Sequence, residues 1–254
     1  MSIKVISDLH GAHEAIAGEV DPDDTLLLLG DLINVIDYHT KDGILVEIFG
    51  VDAVEEVIGL RAQRRFEEAR SVMALRRKGR EADIAAKFQL AFANQYREVF
   101  AALPKKTYLI LGNVDSPAVA HEMLPSHVEM VDGKVIELEG MRIGFVGGGL
   151  PTPLKIQGEI PEEEYDAKLN GLGDDVDIIC SHVPPDIPEL TFDVIANRHE
   201  RGSAGLAEYI RRVQPRRAFF GHIHQPLYSS THIGKTHCLN AGYFRHTRRA
   251  ITLA

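Results

Sequence analysis

The chain has 254 residues, a formal net charge of −9, 44% hydrophobic residues and 26% charged residues. That is apolar material enough for one large domain or two small ones, and the acidic balance argues against a general binder of nucleic acid or anionic membranes. No apolar run approaches the roughly 18 residues of a membrane span, and the first residues lack the pattern of a secretion signal, so a cytoplasmic protein is expected.

Ile3, Val5 and Ile6 form a short apolar run that predicts a buried strand, closing on Asp8, His10 and Gly11. Alternation along a strand would turn Asp8 and His10 the same way. His13–Gly18 reads as a short helix, and Thr25–Leu29 as a strand covered on both faces that ends at Gly30 and Asp31. A polar loop with Asn34, Asp37, Tyr38 and His39 follows. Over residues 52–103 apolar residues recur at helical spacing on either side of Gly79, which predicts two antiparallel helices joined there. Arg61, Arg64, Arg65, Arg70, Arg76, Arg77, Lys78 and Arg80 face only Glu67 and Glu68 in this stretch. A solvated face is the simple reading of that charge run; a subunit contact or a basic wall beside an anionic substrate are the others.

Residues 107–111 predict a third apolar strand, closing on Gly112, Asn113, Val114 and Asp115. Residues 127–131, 134–138 and 141–146 read as successive strands, with Asp132-Gly133 and Glu139-Gly140 as hairpin turns. Gly147, Gly148 and Gly149 either offer N–H groups to a phosphate or let a strand end pass close to the site. Residues 177–180 form a strand ending on Ser181 and His182; Ser203 caps an amphipathic helix; residues 218–220 lead to Gly221, His222 and His224. Strands broken at Gly234-Lys235 and at Asn240-Ala241-Gly242 fill the tail. Cys180 and Cys238 lie in apolar runs and read as buried, reduced thiols.

Five apolar strands thus each deliver a metal-capable side chain at the carboxyl end: Asp8 with His10, Asp31, Asn113, His182, and His222 with His224. Only oxygen and imidazole donors occur, which suits manganese, iron, zinc or nickel rather than a structural zinc. Seven donors exceed the needs of one ion, whereas two ions sharing a carboxylate would use them all.

In order and type, Asp8-x-His10, Gly30-Asp31, Gly112-Asn113-x-Asp115, Ser181-His182 and Gly221-His222-x-His224 resemble the five motifs of the calcineurin-like metallophosphoesterases. The resemblance runs from residue 8 to residue 224, and Asn240-Ala241-Gly242 is similar to the turn that often follows. It implies one metal held by Asp8, His10, Asp31 and His224, and a second held by Asp31, Asn113, His182 and His222. It also implies an α/β (α+β) fold, a four-layer α-β-β-α sandwich, here as one domain over 1–254 with residues 52–103 as a helical hairpin insertion. The implied reaction is phosphoester hydrolysis by a hydroxide bridging two transition-metal ions, with Asp31, Asn113 and His182 acting through that hydroxide and the phosphate. Asn34, Asp37 and Asp115 are candidates to orient the ligands.

One departure bears on the substrate. Many members carry His after the motif Asn, placed to protonate or bind the leaving group, where this chain has Val114. General acid help is an effect of about 10²–10⁴-fold, so a phosphodiester of a small molecule is the expected substrate. A phosphomonoesterase, a non-catalytic scaffold on the same fold, and a nuclease are the alternatives, the last disfavoured by the net charge. His39, His199 and His246 could replace the missing acid, and Arg198, Arg201 and Arg245 could grip a phosphate, though exposed loop roles explain each as simply. The basic insertion is the surface through which a homo-oligomer would form.

Overall fold

The structure is a computed structural model describing residues 2–37 and 39–253; Met1, Tyr38 and Ala254 lie outside the described residues. Strands β1 (Ile3–Ile6) and β2 (Thr25–Leu29) pair in parallel around a 3-10 helix at His13–Gly18. Every side chain of β2 is buried, which is why its sequence is apolar without alternation.

Four helices follow: α1 (Ile44–Phe49), α2 (Val51–Ala62), α3 (Phe66–Arg77) and α4 (Glu81–Ala102). This corrects the expected pair of helices. The first half of that stretch breaks in two because Arg64 takes a left-handed backbone, φ +59°, and reverses the chain. Four of the basic residues there have carboxylate partners on exposed faces: Arg65 with Glu68, Arg70 with Glu67, Arg76 with Glu56 and Arg80 with Asp83. The solvated-face reading accounts for them. The second half of α4 belongs to the core, where Phe92, Tyr96, Val99 and Phe100 are buried against β1 and β2.

The chain continues through β3 (Lys106–Ile110), α5 (Pro117–Met123), β4 (Val128–Met130), β5 (Val135–Leu138) and β6 (Met141–Val146). Glu139 and Gly140, at φ +51° and +74°, form the expected two-residue hairpin between β5 and β6. Asp132-Gly133 does not form one: β4 and β5 belong to different sheets, so this turn hands the chain across. Turn chemistry dictates that the backbone bends there, and says nothing of where the next strand pairs.

Then come α6 (Glu162–Gly171), β7 (Ile178–Ser181), α7 (Pro188–Thr191), β8 (Phe192–Asp193) and β9 (Arg198–His199). The chain ends with α8 (Ala204–Val213), β10 (Arg217–Phe220), β11 (Ser230–Ile233), β12 (Thr236–Asn240), α9 (Phe244–Thr247) and β13 (Ile251–Leu253). Ser203 caps α8 as expected, its hydroxyl accepting from Leu206 N at 3.0 Å.

One sheet runs β13-β1-β2-β3-β4 and the other β11-β12-β10-β7-β6-β5, with parallel and antiparallel neighbours in both. The fold is therefore mixed α/β. Val5, Leu27 and Leu29 of the first sheet share one apolar cluster with Phe145, Cys180 and Phe219 of the second. Alternate residues of each sheet, Ile6 and Leu28 on one and Ile179 and Phe220 on the other, pack instead with α4 and α5 or with α6 and α8. Both cysteines are buried and free.

Candidate metal centre

Strands β1, β2 and β3 are parallel neighbours, as are β7 and β10, so each group brings its carboxyl ends to one edge. The two edges are joined: His182 Nδ1 of the second sheet donates to Leu29 O of the first at 2.9 Å, and His222 N donates to Asp8 Oδ2 at 3.0 Å. Strand alternation is not what places Asp8 and His10, because β1 ends at Ile6. Instead Asp8, His10, Asp31 and His222 all have left-handed backbones, with φ of +54°, +41°, +53° and +69°. Such conformations cost about 1–3 kcal/mol each where glycine is absent, and they gather at functional sites. Two motif glycines are needed for close approach. A Cβ at Gly112 would collide with the Asp31 carboxylate and the His182 ring, and one at Gly221 with Ser7 and Asp8.

The seven expected donors converge. Asp8, His10, Asp31 and His224 offer ligand atoms within 4.8 Å of one another, and so do Asp31, His182 and His222. Asp31 is common to both groups, and its two oxygens divide between them. Its Oδ2 lies 3.6 Å from His10 Nε2 and its Oδ1 lies 3.4 Å from His182 Nε2. Asn113 joins the second group, its Oδ1 being 2.9 Å from His182 Nε2 and 2.8 Å from His222 Nδ1. His224 Nε2 is 3.4 Å from Asp8 Oδ1 and 3.1 Å from His10 Nε2.

Two of the imidazoles are oriented by backbone carbonyls. His10 Nδ1 donates to Ile33 O at 3.3 Å and His182 Nδ1 to Leu29 O at 2.9 Å, so in each neutral ring the Nε2 lone pair faces the cluster. Burial, reinforced by the neighbouring His224, pulls the His10 pKa down to about 3; burial and His182 do the same to His222, also to about 3. Burial presses His182 and His224 the same way, but for His182 the charges of Asp31 and Asp8 win, and for His224 the bond to Asp8, so both titrate above 6.5. The 3.1 Å contact between the Nε2 atoms of His224 and His10 therefore favours His224 as the donor. Burial raises Asp31, whereas Asp8 is held well below the carboxylate range because the imidazoles, His224 foremost, outweigh its burial. Carboxylate, amide and imidazole donors with no thiolate suit a divalent transition ion.

Asp115 ties the two loops beneath this cluster. Its carboxylate accepts from Asp31 N at 2.9 Å, Leu32 N at 3.0 Å, Gly112 N at 2.8 Å and the Tyr96 hydroxyl at 3.2 Å. Burial and the charge of Asp31 push it up to about 6. Tyr96 itself accepts from Ser116 N at 2.7 Å, so α4 anchors the loops that carry Asp31 and Asn113. Tyr96 lies within the 52–103 stretch that the sequence marks only by its helical spacing.

The weaker candidates resolve differently. The N–H groups of Gly147, Gly148 and Gly149 are taken by Asp132, Leu111 O and Gly158 O, while a Cβ at Gly149 would strike Asn113. Close passage explains these glycines, and the phosphate reading falls. Arg198 pairs with Glu200 and Arg201 with Glu162. Arg245 binds Asp37 at 2.9 Å, Asp42 at 2.9 Å and His10 O at 2.7 Å. Asn34 donates to Asp42 at 2.8 Å, and Asp37 holds Tyr243 at 3.1 Å as well as Arg245; neither bonds to an imidazole nitrogen of the cluster. His199 meets Thr191 and Phe192, away from the cluster, and His39 is exposed. Val114 is half-buried, and its N–H donates to Asp31 Oδ1 at 3.0 Å. Tyr243, which sequence reasoning missed, stacks flat on His224 at 3.9 Å between ring centroids.

Among the described residues no helix is long and apolar enough to cross a membrane. A search of curated proteins finds no match. Among solved structures, one crystal structure shares 16% identity and a TM-score of 0.59, covering 96% of this chain and 91% of the other. The crystal structure of TT1561 of Thermus thermophilus also shares 16% identity, with a TM-score of 0.51 and coverage of 99% and 97%. At that identity the likeness is one of fold. The model of the calcineurin-like phosphoesterase family matches residues 1–226, and together with the clustered aspartates and histidines it makes this chain a member of that metal-dependent phosphoesterase family.

Proposed function

We propose that the centre holds two transition-metal ions, manganese, iron, zinc or nickel, and that the chain hydrolyses a phosphodiester of a small molecule. One ion would be held by Asp8, His10, Asp31 and His224, the other by Asp31, Asn113, His182 and His222. The observation that carries this reading is the division of the Asp31 oxygens between the two groups. When bound, such a pair supplies a water nucleophile at neutral pH and charge neutralisation on the phosphate. The protein's own part is to keep the imidazole lone pairs aimed inward, through Ile33 O and Leu29 O, and to fix Asp31 through Val114 N and its own N–H on Asp115.

The diester assignment rests on Val114, whose side chain has no proton to give a leaving group. The reading takes residues 1–254 as a single cytoplasmic domain acting on a small ester, with the exposed basic insertion as the face for any self-association; the charge of −9 supports a small substrate over nucleic acid. Hydrolysis of an aryl phosphodiester and the matching monoester, each with Mn²⁺, Zn²⁺ and Fe²⁺, tests it. Faster turnover of the diester with metal is expected; preference for the monoester, or no metal dependence, refutes it.

A further inference from the structure

A histidine that binds metal is nearly always held in orientation by a hydrogen bond from its other ring nitrogen. His10 and His182 have that bond, to Ile33 O and Leu29 O. Among the described residues His224 Nδ1 has no carbonyl or carboxylate partner. Its ring instead lies against Tyr243, with centroids 3.9 Å apart and planes 4° apart, and the same phenol ring meets His10 edge-on at 5.5 Å.

Tyr243 is in turn fixed. Its hydroxyl donates to Asp37 Oδ2 at 3.1 Å, an oxygen that Arg245 Nε also reaches at 2.9 Å. Arg245 then donates to the backbone oxygen of His10 at 2.7 Å. Gly242 N, bonded to Asn240 Oδ1 at 2.7 Å, starts this segment from the end of β12. Both contacts therefore converge on the imidazoles of one group, His10 and His224, whose Nε2 atoms are 3.1 Å apart, and neither touches His182 or His222. The segment also lies past the residues that the family model matches.

We infer that Tyr243, locked by Asp37 and Arg245, is a positioning residue that orients His224 and so sets the metal affinity of the Asp8, His10, Asp31 and His224 group selectively. The flat stack restrains rotation of the His224 ring as a carbonyl restrains His10 and His182. A phenol that donates its proton to a carboxylate is electron-rich, and its face suits a neutral imidazole polarised by a bound cation.

The inference rests on the two-ion reading, and titrating the metal-depleted full chain with Mn²⁺ by calorimetry separates the two. Wild type is expected to take up two ions. Tyr243→Leu should weaken one of them by about 10–100-fold, the usual effect of losing a group that orients a ligand, and leave the other unchanged. Tyr243→Phe, which keeps the ring but loses its bond to Asp37, should fall between wild type and the leucine variant. Thermal midpoints in chelator report whether each variant folds, and Arg245→Gln, which frees the lock from Asp37 and His10, provides the same reading should the leucine variant not fold. Two tight sites in both Tyr243→Leu and Arg245→Gln, equal weakening of both sites, or a phenylalanine variant no better than leucine would overturn the role of Tyr243. Fewer than two ions on wild type would overturn the two-ion reading and this role with it.

Discussion

Conflicting demands meet at the Asp31 carboxylate. It is buried, its pKa is raised by that burial with Asp8 adding to it, and yet both of its oxygens face imidazole nitrogens. A carboxyl whose folded pKa is raised favours folding below the ordinary value of 3.8 and withdraws that support as pH rises. Asp31→Asn should therefore abolish metal-dependent turnover while making the chelated protein no less stable at pH 7, with any advantage vanishing below about pH 4; thermal melts at the two pH values check this. His182→Ala should likewise abolish turnover and leave the chelated fold intact by circular dichroism. Val114→His would place an imidazole beside Asn113, and a rise in monoester relative to diester turnover is expected; an unchanged ratio would remove the leaving-group argument.

At the scale of elements, α4 matters because it reaches under the site. Tyr96→Phe removes the hydroxyl that Ser116 N and Asp115 share, stranding a buried N–H at a cost of about 1–3 kcal/mol. A lower thermal midpoint with reduced turnover is expected, measured on the chelated and metal-loaded protein respectively. What the sequence revealed of the elements followed from burial. Thr25–Leu29 and Met141–Val146 stand out because their side chains are mostly enclosed. Helix α6 escaped notice because it buries only Tyr165 and Leu169 and opens with three glutamates. The break at Arg64 was hidden because apolar spacing runs on through it. The seven donors were legible because each follows a strand end, a local feature. The Tyr243 stack on His224 was not, since only the folded tail brings those rings together.

For the molecule as a whole, the proton balance of the site sets how it takes up metal. The carboxylates around His182 and His224 raise their affinity for protons, so an incoming ion competes with those protons. Affinity for Mn²⁺ should climb as pH rises past the ordinary imidazole range, while the protons released per ion decline; calorimetry in two buffers of different ionisation enthalpy measures both. The crossing at Asp132-Gly133 has a consequence of its own. It leaves Asp8, His10, Asp31 and Asn113 on one hydrogen-bonded plate and His182, His222 and His224 on the other. Any cation seated across that seam is a rivet between two slabs that otherwise grip each other through oily side chains and a few polar bridges. Its removal would leave that seam held by those contacts alone, and a nascent chain could not assemble the socket until the second slab had been synthesised and docked.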